Sequence, residues 1–489
     1  MATTTIPNLD SIRLAQRAWA QTPLRQRVRL MTQLRSRIAT SAQALAEIIP
    51  TDLPGSLHRT VADTLVSEVL PLAEACRFLA RETESILRPR ELGCTGRPVW
   101  LSGVEARIDR LPWGVVLILA PANYPLFLAG VQVLQALTAG NAVLWKPAPG
   151  TQSAAFALRA LLIESGLDPS LLTLLDPAVE SATLAIASGI DHLVFTGSAE
   201  TGTAVLHQLA DTLTPSTMEL SGSDAVFILP GADTAHAIDA LAFGLRFNGS
   251  ATCMAPRRLF LIGFSEESAD SFQTHLAAAL AVQPPVPLPP RILAQLRDLV
   301  EDARIQGASL LLNGITQADQ AACVTLITQA TPSLLSMQTE IFAPILSVMR
   351  AANADEALAA DAACPYALTA AIFAPEREAQ EFLRHAGTRL RPGNILINDL
   401  ILPTADPRIP FGGRGRSGFG VTRGPEGLLA MTTPRTIQTQ SRRSRRFYQP
   451  TGSNHVEFFA GLIALLHGGK LRTRFAGLRR LIRAARRVK

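Results

Sequence analysis

The sequence predicts an α/β protein with two successive units of parallel strands, and three observations lead to that class. Short continuous apolar runs, Gly114–Ala120, Ala142–Trp145, Leu171–Leu175 and His192–Phe195, alternate with helical stretches, the pattern of parallel strands buried on both faces. The pattern restarts near Ser221, with Ala225–Leu229 and Arg258–Ile262 as strands around a helix at Asp233–Asn248. Finally, the 489 residues are 47% hydrophobic and 18% charged, which excludes disorder for the bulk of the chain.

Taken in order, residues 8–48 carry apolar positions at spacings of three and four and read as helical, Pro54-Gly55 breaks the pattern, and a second helical region covers about 59–86. Gly93, Gly96 and Pro98 mark turns. From Val99 to Arg110, Val104, Ala106 and Ile108 alternate with Glu105, Arg107 and Asp109, the signature of a half-exposed strand reaching out as an arm. The first α/β unit then runs from Gly114 to about 219, with helices up to Thr138 and over 152–165. In the second unit, a helix is expected at about 266–280, the Pro-rich PPVPLPPR at 284–291 reads as an insertion or loop, and further strands are expected at 322–327, 345–349 and 369–373.

The formal net charge is +6, but nine Lys or Arg and no acid lie in the last twenty positions; the rest has 37 basic and 40 acidic residues. The basic pI of 9.4 therefore reflects one patch and not a nucleic-acid-binding surface across the protein. Five scattered cysteines, Cys76, Cys94, Cys253, Cys323 and Cys364, form no CxxC pair, so no disulfide framework is expected and a reducing cytoplasm is. The N-terminal stretch has no apolar signal-peptide core, and no run is long enough to span a bilayer. No His/Cys cluster has metal-ligand spacing, and His192 before its strand reads as structural.

Three segments carry the candidate chemistry. Asn248-Gly-Ser-Ala-Thr-Cys253-Met-Ala-Pro lies between a helix and a strand. Its small residues leave room for a ligand, and a cysteine there is either a buried apolar side chain or a nucleophile for a carbonyl. Leu193-Val-Phe-Thr-Gly197-Ser198, with Gly202 four residues on, runs from a strand through a turn into a helix, which directs backbone N–H groups at an anion. Met218-Glu219-Leu-Ser-Gly222 puts a carboxylate at the junction of the two units, where open α/β folds bind ligands; Glu219 is a general base or a solvated loop residue.

With APANYP at 120–125, WKPAPGT at 145–151, FTGS at 195–198, LTPSTMELSG at 213–222, EIFAP at 340–344 and PFGGRGRSGFG at 410–420, these segments resemble the aldehyde dehydrogenase superfamily from about residue 8 to about 440. The nearest likeness is the short-N-terminus branch that includes fatty aldehyde dehydrogenases. The 34-residue separation of Glu219 and Cys253 and the 23-residue separation of Asn123 and Lys146 match the family pattern. The resemblance implies a Rossmann-like NAD(P)-binding domain (1–98 and 113–219), an α/β catalytic domain (220–435) and a small oligomerisation element (99–112 and 436–450), assembling as a homodimer or larger. It implies that Cys253 attacks the aldehyde, that Asn123 with the Cys253 N–H forms the oxyanion hole, and that Glu219 activates water to hydrolyse the thioester. Lys146 would hold the adenosine ribose and Glu340 the nicotinamide ribose, with Phe342 packed near it; Gly197, Ser198 and Gly202 would lie beside the pyrophosphate, and Asn398 would be structural.

The chain departs from the family pattern at Ala122, Ser221, Ser250 and Ala343, where Trp, Gly, Gly and Gly are usual. Pro149 stands where NAD users often carry an acid, so NADP is admissible beside NAD. The expected reaction is oxidation of an apolar, lipid-derived aldehyde to its acid. The rivals are an acylating or reductive enzyme, which Glu219 argues against, and a membrane-associated scaffold that kept the fold.

Residues 455–489 complete the reading as a basic amphipathic tail. Val456–Leu466 is apolar, and Leu471, Phe475, Leu478, Ile482 and Ala485 form a stripe among arginines, as in a helix lying on an anionic membrane surface. Docking on protein is the alternative. The expected location is cytoplasmic, peripheral on the cytoplasmic face of a membrane, with no nucleic-acid partner.

Overall fold

The computed structural model describes residues 8–50, 59–315, 320–440 and 450–486. The break expected at Pro54-Gly55, and positions 441–449 of the expected oligomerisation element, lie outside the described residues. Two compact units emerge, one from residues 1–89 and 109–435, the other from 90–108 and 436–489.

The first unit opens with the helices Leu9–Gln21 and Leu24–Thr40, and Leu70–Leu87 follows after a short capped turn. Asn8 caps the first through its side chain, and Thr60 with Asp63 forms a capping box before the third. Each buries one apolar stripe, Leu30, Leu34 and Ile38 in the second helix and Leu72, Cys76 and Leu79 in the third.

A six-stranded sheet holds one half of the unit. Its order is Gly418–Phe419, Ser216–Leu220, His192–Gly197, Val115–Leu119, Ala142–Lys146, Leu172–Leu174, all parallel except the first. Val115–Leu119 is wholly buried, which explains why its sequence shows no polar alternation. The chain builds outward from Val115–Leu119 on one side, then crosses back to add His192–Gly197 on the other. That reversal makes a topological switch point, and a crevice opens at the carboxyl ends of the strands flanking it.

A seven-stranded sheet forms the other half, in the order Ser309–Leu312, Thr325–Thr328, Ile345–Ala351, Pro256–Ile262, Asp224–Ile228, Thr369–Phe373, Asn394–Ile397. Only Ser309–Leu312 is antiparallel. The Pro-rich segment is not all loop: Val286–Pro287 pairs with Ala321–Ala322, and Pro290 opens the helix Pro290–Ile305. Proline suits that first position because its missing N–H has no helical partner to lose.

The second unit contains the strand Arg90–Leu92 and a helical hairpin, Ser453–His467 with Leu471–Ala485. The two helices touch through glycines. A Cβ added at Gly461 would stand 2.7 Å from the Leu481 nitrogen, and one at Gly477 2.5 Å from the Leu465 nitrogen. Glu457 and Arg480 pair across the hairpin. Both apolar stripes stay exposed, Val456, Phe459 and Ile463 on one helix and Leu471, Phe475 and Ile482 on the other. Among the described residues, no helix is long and apolar enough to cross a membrane.

Candidate active site

Cys253 sits in a loop whose backbone is forced tight. Asn248, Gly249 and Ser250 all take left-handed φ values, 50°, 58° and 64°, a conformation that costs a non-glycine residue about 1 kcal/mol or more. Ser250 is held there by buried Arg257, which donates through Nη1 to the Ser250 hydroxyl (2.8 Å) and to the Ala343 carbonyl (2.6 Å), and through Nη2 to the Ser250 carbonyl (2.6 Å). The guanidinium thus ties the cysteine loop to the Glu340–Pro344 segment. Nothing in the sequence pattern singled out Arg257.

Asn123 occupies the loop that leaves Val115–Leu119. One amide N–H donates to the Ala251 carbonyl at 2.9 Å, which leaves the second N–H for an oxyanion. Asn248 donates to the Asn123 carbonyl at 3.1 Å. The loop is fixed from behind by Glu68, fully buried, whose Oε2 accepts from the backbone N–H groups of Leu126 (2.6 Å) and Phe127 (2.9 Å) and which pairs with buried Arg59. Sequence reasoning missed this pair, since charges inside a helical stretch ordinarily mark a solvated face.

Glu219 is not a solvated loop residue. It lies on the strand Ser216–Leu220, buried at 4% exposure, in register with Thr196 on one side and Gly418 on the other. Its Oε2 accepts from the Thr422 hydroxyl at 2.9 Å, while Oε1 has no partner. Burial pushes the carboxyl above its ordinary range; Arg423, Thr422 and Gln132 pull it back. Burial also pushes the Cys253 thiol up, Glu219 and Asp224 add to this, and Arg423 opposes it.

Two cavities meet at these residues. The roomier, about 340 Å³, is lined by Asn123, Gly197, Ser198, Glu340 and Phe342. The narrower, about 80 Å³, is lined largely by Tyr124, Phe127, Phe247, Met254, Ile401 and Phe411. Among the described residues, both are lined by Cys253, Glu219 and Leu128 and by no others in common.

The roomier cavity fits a dinucleotide. Half-buried Glu340 presents a buried Oε2 with no partner, an acceptor suited to a ribose hydroxyl. Burial raises this carboxyl, and Ser221, Arg416 and Arg257 lower it again. The Ser221 hydroxyl donates to the Gly197 carbonyl at 3.3 Å and also bears on the Glu340 carboxyl. Ser198 caps the helix Ala199–Ala210, its hydroxyl accepting from Thr201 N at 3.2 Å. Gly202 is buried in that helix, where a Cβ would stand 2.8 Å from Leu220 Cδ2; its place is helix-to-strand packing. Lys146 ends its strand, and its amine is lowered by burial and raised by Asp176, an acid the sequence analysis did not connect with it. Ile292 and Gln295, from the helix behind the Pro-rich segment, complete the wall, with Gln295 donating to the Glu340 carbonyl at 2.8 Å.

Asn398 accepts from Ala374 N and donates to Ala374 O, both at 2.9 Å, and so bridges two strand ends. His192 is buried and stacked on Trp113 with ring centres 5.4 Å apart. Among the described residues, no cluster of three or more His, Cys, Asp or Glu could hold a metal ion.

Comparison with known proteins completes the description. The model of the aldehyde dehydrogenase family matches residues 8–437. A probable coniferyl aldehyde dehydrogenase of Pseudomonas aeruginosa is 29% identical over 439 residues, covering 88% of this chain and 90% of that protein. A 4,4'-diapolycopene aldehyde oxidase of Methylomonas is 28% identical over 474 residues, covering 94% of this chain and 86% of its own length. Among solved structures, the Mycobacterium tuberculosis aldehyde dehydrogenase complexed with NAD+ shares the fold with a TM-score of 0.79 at 23% identity, over 89% of this chain and 90% of that one.

Proposed function

Because the chain belongs to the aldehyde dehydrogenase family and is an NAD(P)-dependent oxidoreductase of aldehydes, we propose that Cys253, Glu219 and Asn123 carry its reaction and that its substrate is an apolar, lipid-derived aldehyde. The observation that most supports this reading is the meeting of the two cavities at Cys253 and Glu219. An aldehyde from the narrow side and a dinucleotide from the roomy side come together there and nowhere else along the described walls.

Cys253 gives up its proton to Glu219 and its sulfur bonds to the aldehyde carbon, forming a thiohemiacetal. The carbonyl electron pair moves onto oxygen, where the Asn123 amide and the Cys253 N–H receive it. When bound in the roomier cavity, an oxidised nicotinamide would supply the hydride acceptor for conversion of the thiohemiacetal to a thioester. Glu219 passes the thiol proton to solvent and then takes a proton from water, whose oxygen attacks the thioester carbon and displaces the thiolate. Lys146 and Glu340 would hold the two riboses, and Ser198 with Gly197 the pyrophosphate end, with Phe342 beside the nicotinamide ribose and Gly202 setting helix against strand.

Three features support the apolar substrate and the fatty-aldehyde-like branch. The narrow cavity is walled mainly by aromatic and aliphatic side chains. The Methylomonas relative is named for a diapolycopene aldehyde. The C-terminal hairpin exposes two apolar stripes beside a row of arginines, which suits the surface of an anionic membrane on its cytoplasmic face. The exposed strand Arg90–Leu92 and the half-exposed Val104–Pro112 suit an oligomerisation element, and a homodimer is the assembly we infer.

The test is chemical. Cys253→Ala should abolish aldehyde-dependent cofactor reduction while cofactor binding persists. Glu219→Gln should give a burst of reduced cofactor followed by slow turnover, as the thioester accumulates. Near-normal turnover in the first variant, or an unslowed steady state in the second, overturns the assignment.

A further inference from the structure

We propose that Arg423 is a positioning residue of the reacting centre, whose fixed positive charge holds the Cys253–Glu219 pair in its singly negative state. The proposal rests on the roles given above to those two residues.

Arg423 is 5% exposed and lines the narrow cavity together with Cys253 and Glu219. It follows Thr422, the residue that donates to Glu219, so one short segment serves the carboxylate twice. The side chain is held firmly. Nη1 donates to the Thr404 carbonyl at 2.6 Å, the backbone N–H donates to Gln135 Oε1 at 3.3 Å, and the guanidinium carbon stands 4.3 Å from the centre of the Phe411 ring. The backbone takes a left-handed φ of 61°, a conformation that favours glycine and persists in an arginine only where the surroundings impose it.

Among the described residues, what the guanidinium lacks is a carboxylate in direct hydrogen-bond contact. Its Nε makes no hydrogen bond, and neither does Glu219 Oε1. A cation taken out of water at such a site costs several kcal/mol unless a negative charge faces it. The charges that bear on it are Glu219 and Cys253. The other groups facing the thiol are Asp224, from the neighbouring strand, and Tyr124, whose hydroxyl is bound to Thr252 at 2.7 Å. Asp224 already accepts from Thr369 through both its oxygens, and Tyr124 is neutral. Arg423 is therefore the group whose charge favours thiolate over thiol.

The same charge acts at two stages. During attack one negative charge passes from carboxylate to sulfur to oxygen, and Arg423 lowers the cost of each site. After hydride transfer Glu219 carries the thiol proton and must release it to solvent before it can take one from water. A nearby cation favours that release.

The test reads Cys253 directly. The full-length chain is alkylated with iodoacetamide across a range of pH, and modification of the Cys253 peptide is followed by mass spectrometry. Arg423→Met and Arg423→Gln should raise the pH midpoint by at least about one unit, slowing alkylation about tenfold at neutral pH. Arg423→Lys should restore most of the rate, and cofactor binding should be kept in all three. A midpoint in the neutral variants equal to that of the unchanged protein overturns the proposal. So does failure of both neutral variants to fold while Arg423→Lys folds, because the charge would then serve the fold. Turnover surviving in Cys253→Ala would instead sink the underlying assignment of the nucleophile, so the two failures are told apart.

Discussion

Residue by residue, the site mixes groups that announce themselves with groups that only the fold reveals. Cys253 stood out for its loop of small residues and Glu219 for its place at the junction of the two α/β units, whereas Asn123 came only from the family resemblance. Ser250 was visible only as a departure. Its left-handed backbone and its bond to Arg257 explain how a residue other than glycine is tolerated there. Arg257, Arg423 and the Arg59–Glu68 pair were illegible, because an arginine in a sequence carries no mark of burial. His192 was read as structural, and its setting has a measurable consequence. Burial lowers its imidazole to about 4, so the folded protein keeps it neutral while the unfolded chain protonates near 6.5. Stability from this group is full above the unfolded value and is lost as pH falls toward 4, by up to about 3 kcal/mol. Denaturant midpoints measured at intervals between those values should fall more steeply for the unchanged protein than for His192→Gln. Parallel curves would remove His192 from the account.

At the level of elements, the buried strands were legible for a simple reason. A strand covered on both faces needs an unbroken apolar run, and such runs as Val115–Leu119 and Ala225–Leu229 stand out. The strand Asn394–Ile397 at one edge and Ser309–Leu312 at the other did not, since edge strands are short and half-exposed. The Pro-rich segment misled because proline punctuates both loops and helix starts. Adjacent strand ends also bring together residues far apart in sequence. Lys146 closes one strand, and Asp176 follows its neighbour Leu172–Leu174. Pro149 alone suggested an absence of negative charge near the adenosine ribose, yet Asp176 bears on Lys146. Asp176→Asn, which keeps a cap for the Ala178 N–H, should raise the ratio of kcat/KM for NADP to that for NAD about tenfold. An unchanged ratio would place Asp176 away from the 2′-position.

For the whole molecule, the proposed apolar aldehyde raises the question of how the enzyme would meet a substrate that is scarce in water. The two exposed stripes of the hairpin would bury shallowly while the arginines remain among headgroups, each near-surface cation adding on the order of 1 kcal/mol on an anionic leaflet. Full-length protein should float with anionic vesicles at low salt and not with neutral ones, and truncation after Asn454 should abolish flotation. The shortened enzyme should keep its activity on a short soluble aldehyde and lose it on a long-chain aldehyde carried in vesicles. Protein that stays at the bottom of the gradient would refer the hairpin to a protein partner. The paired cavities have a consequence of another kind. Since their walls have only Leu128, Glu219 and Cys253 in common among the described residues, the two reactants do not compete for space. On the proposed roles, each product would leave along the route by which its precursor came. The acid should then inhibit competitively against aldehyde alone and the reduced cofactor against oxidised cofactor alone, so that an enzyme saturated with aldehyde would still exchange its spent dinucleotide.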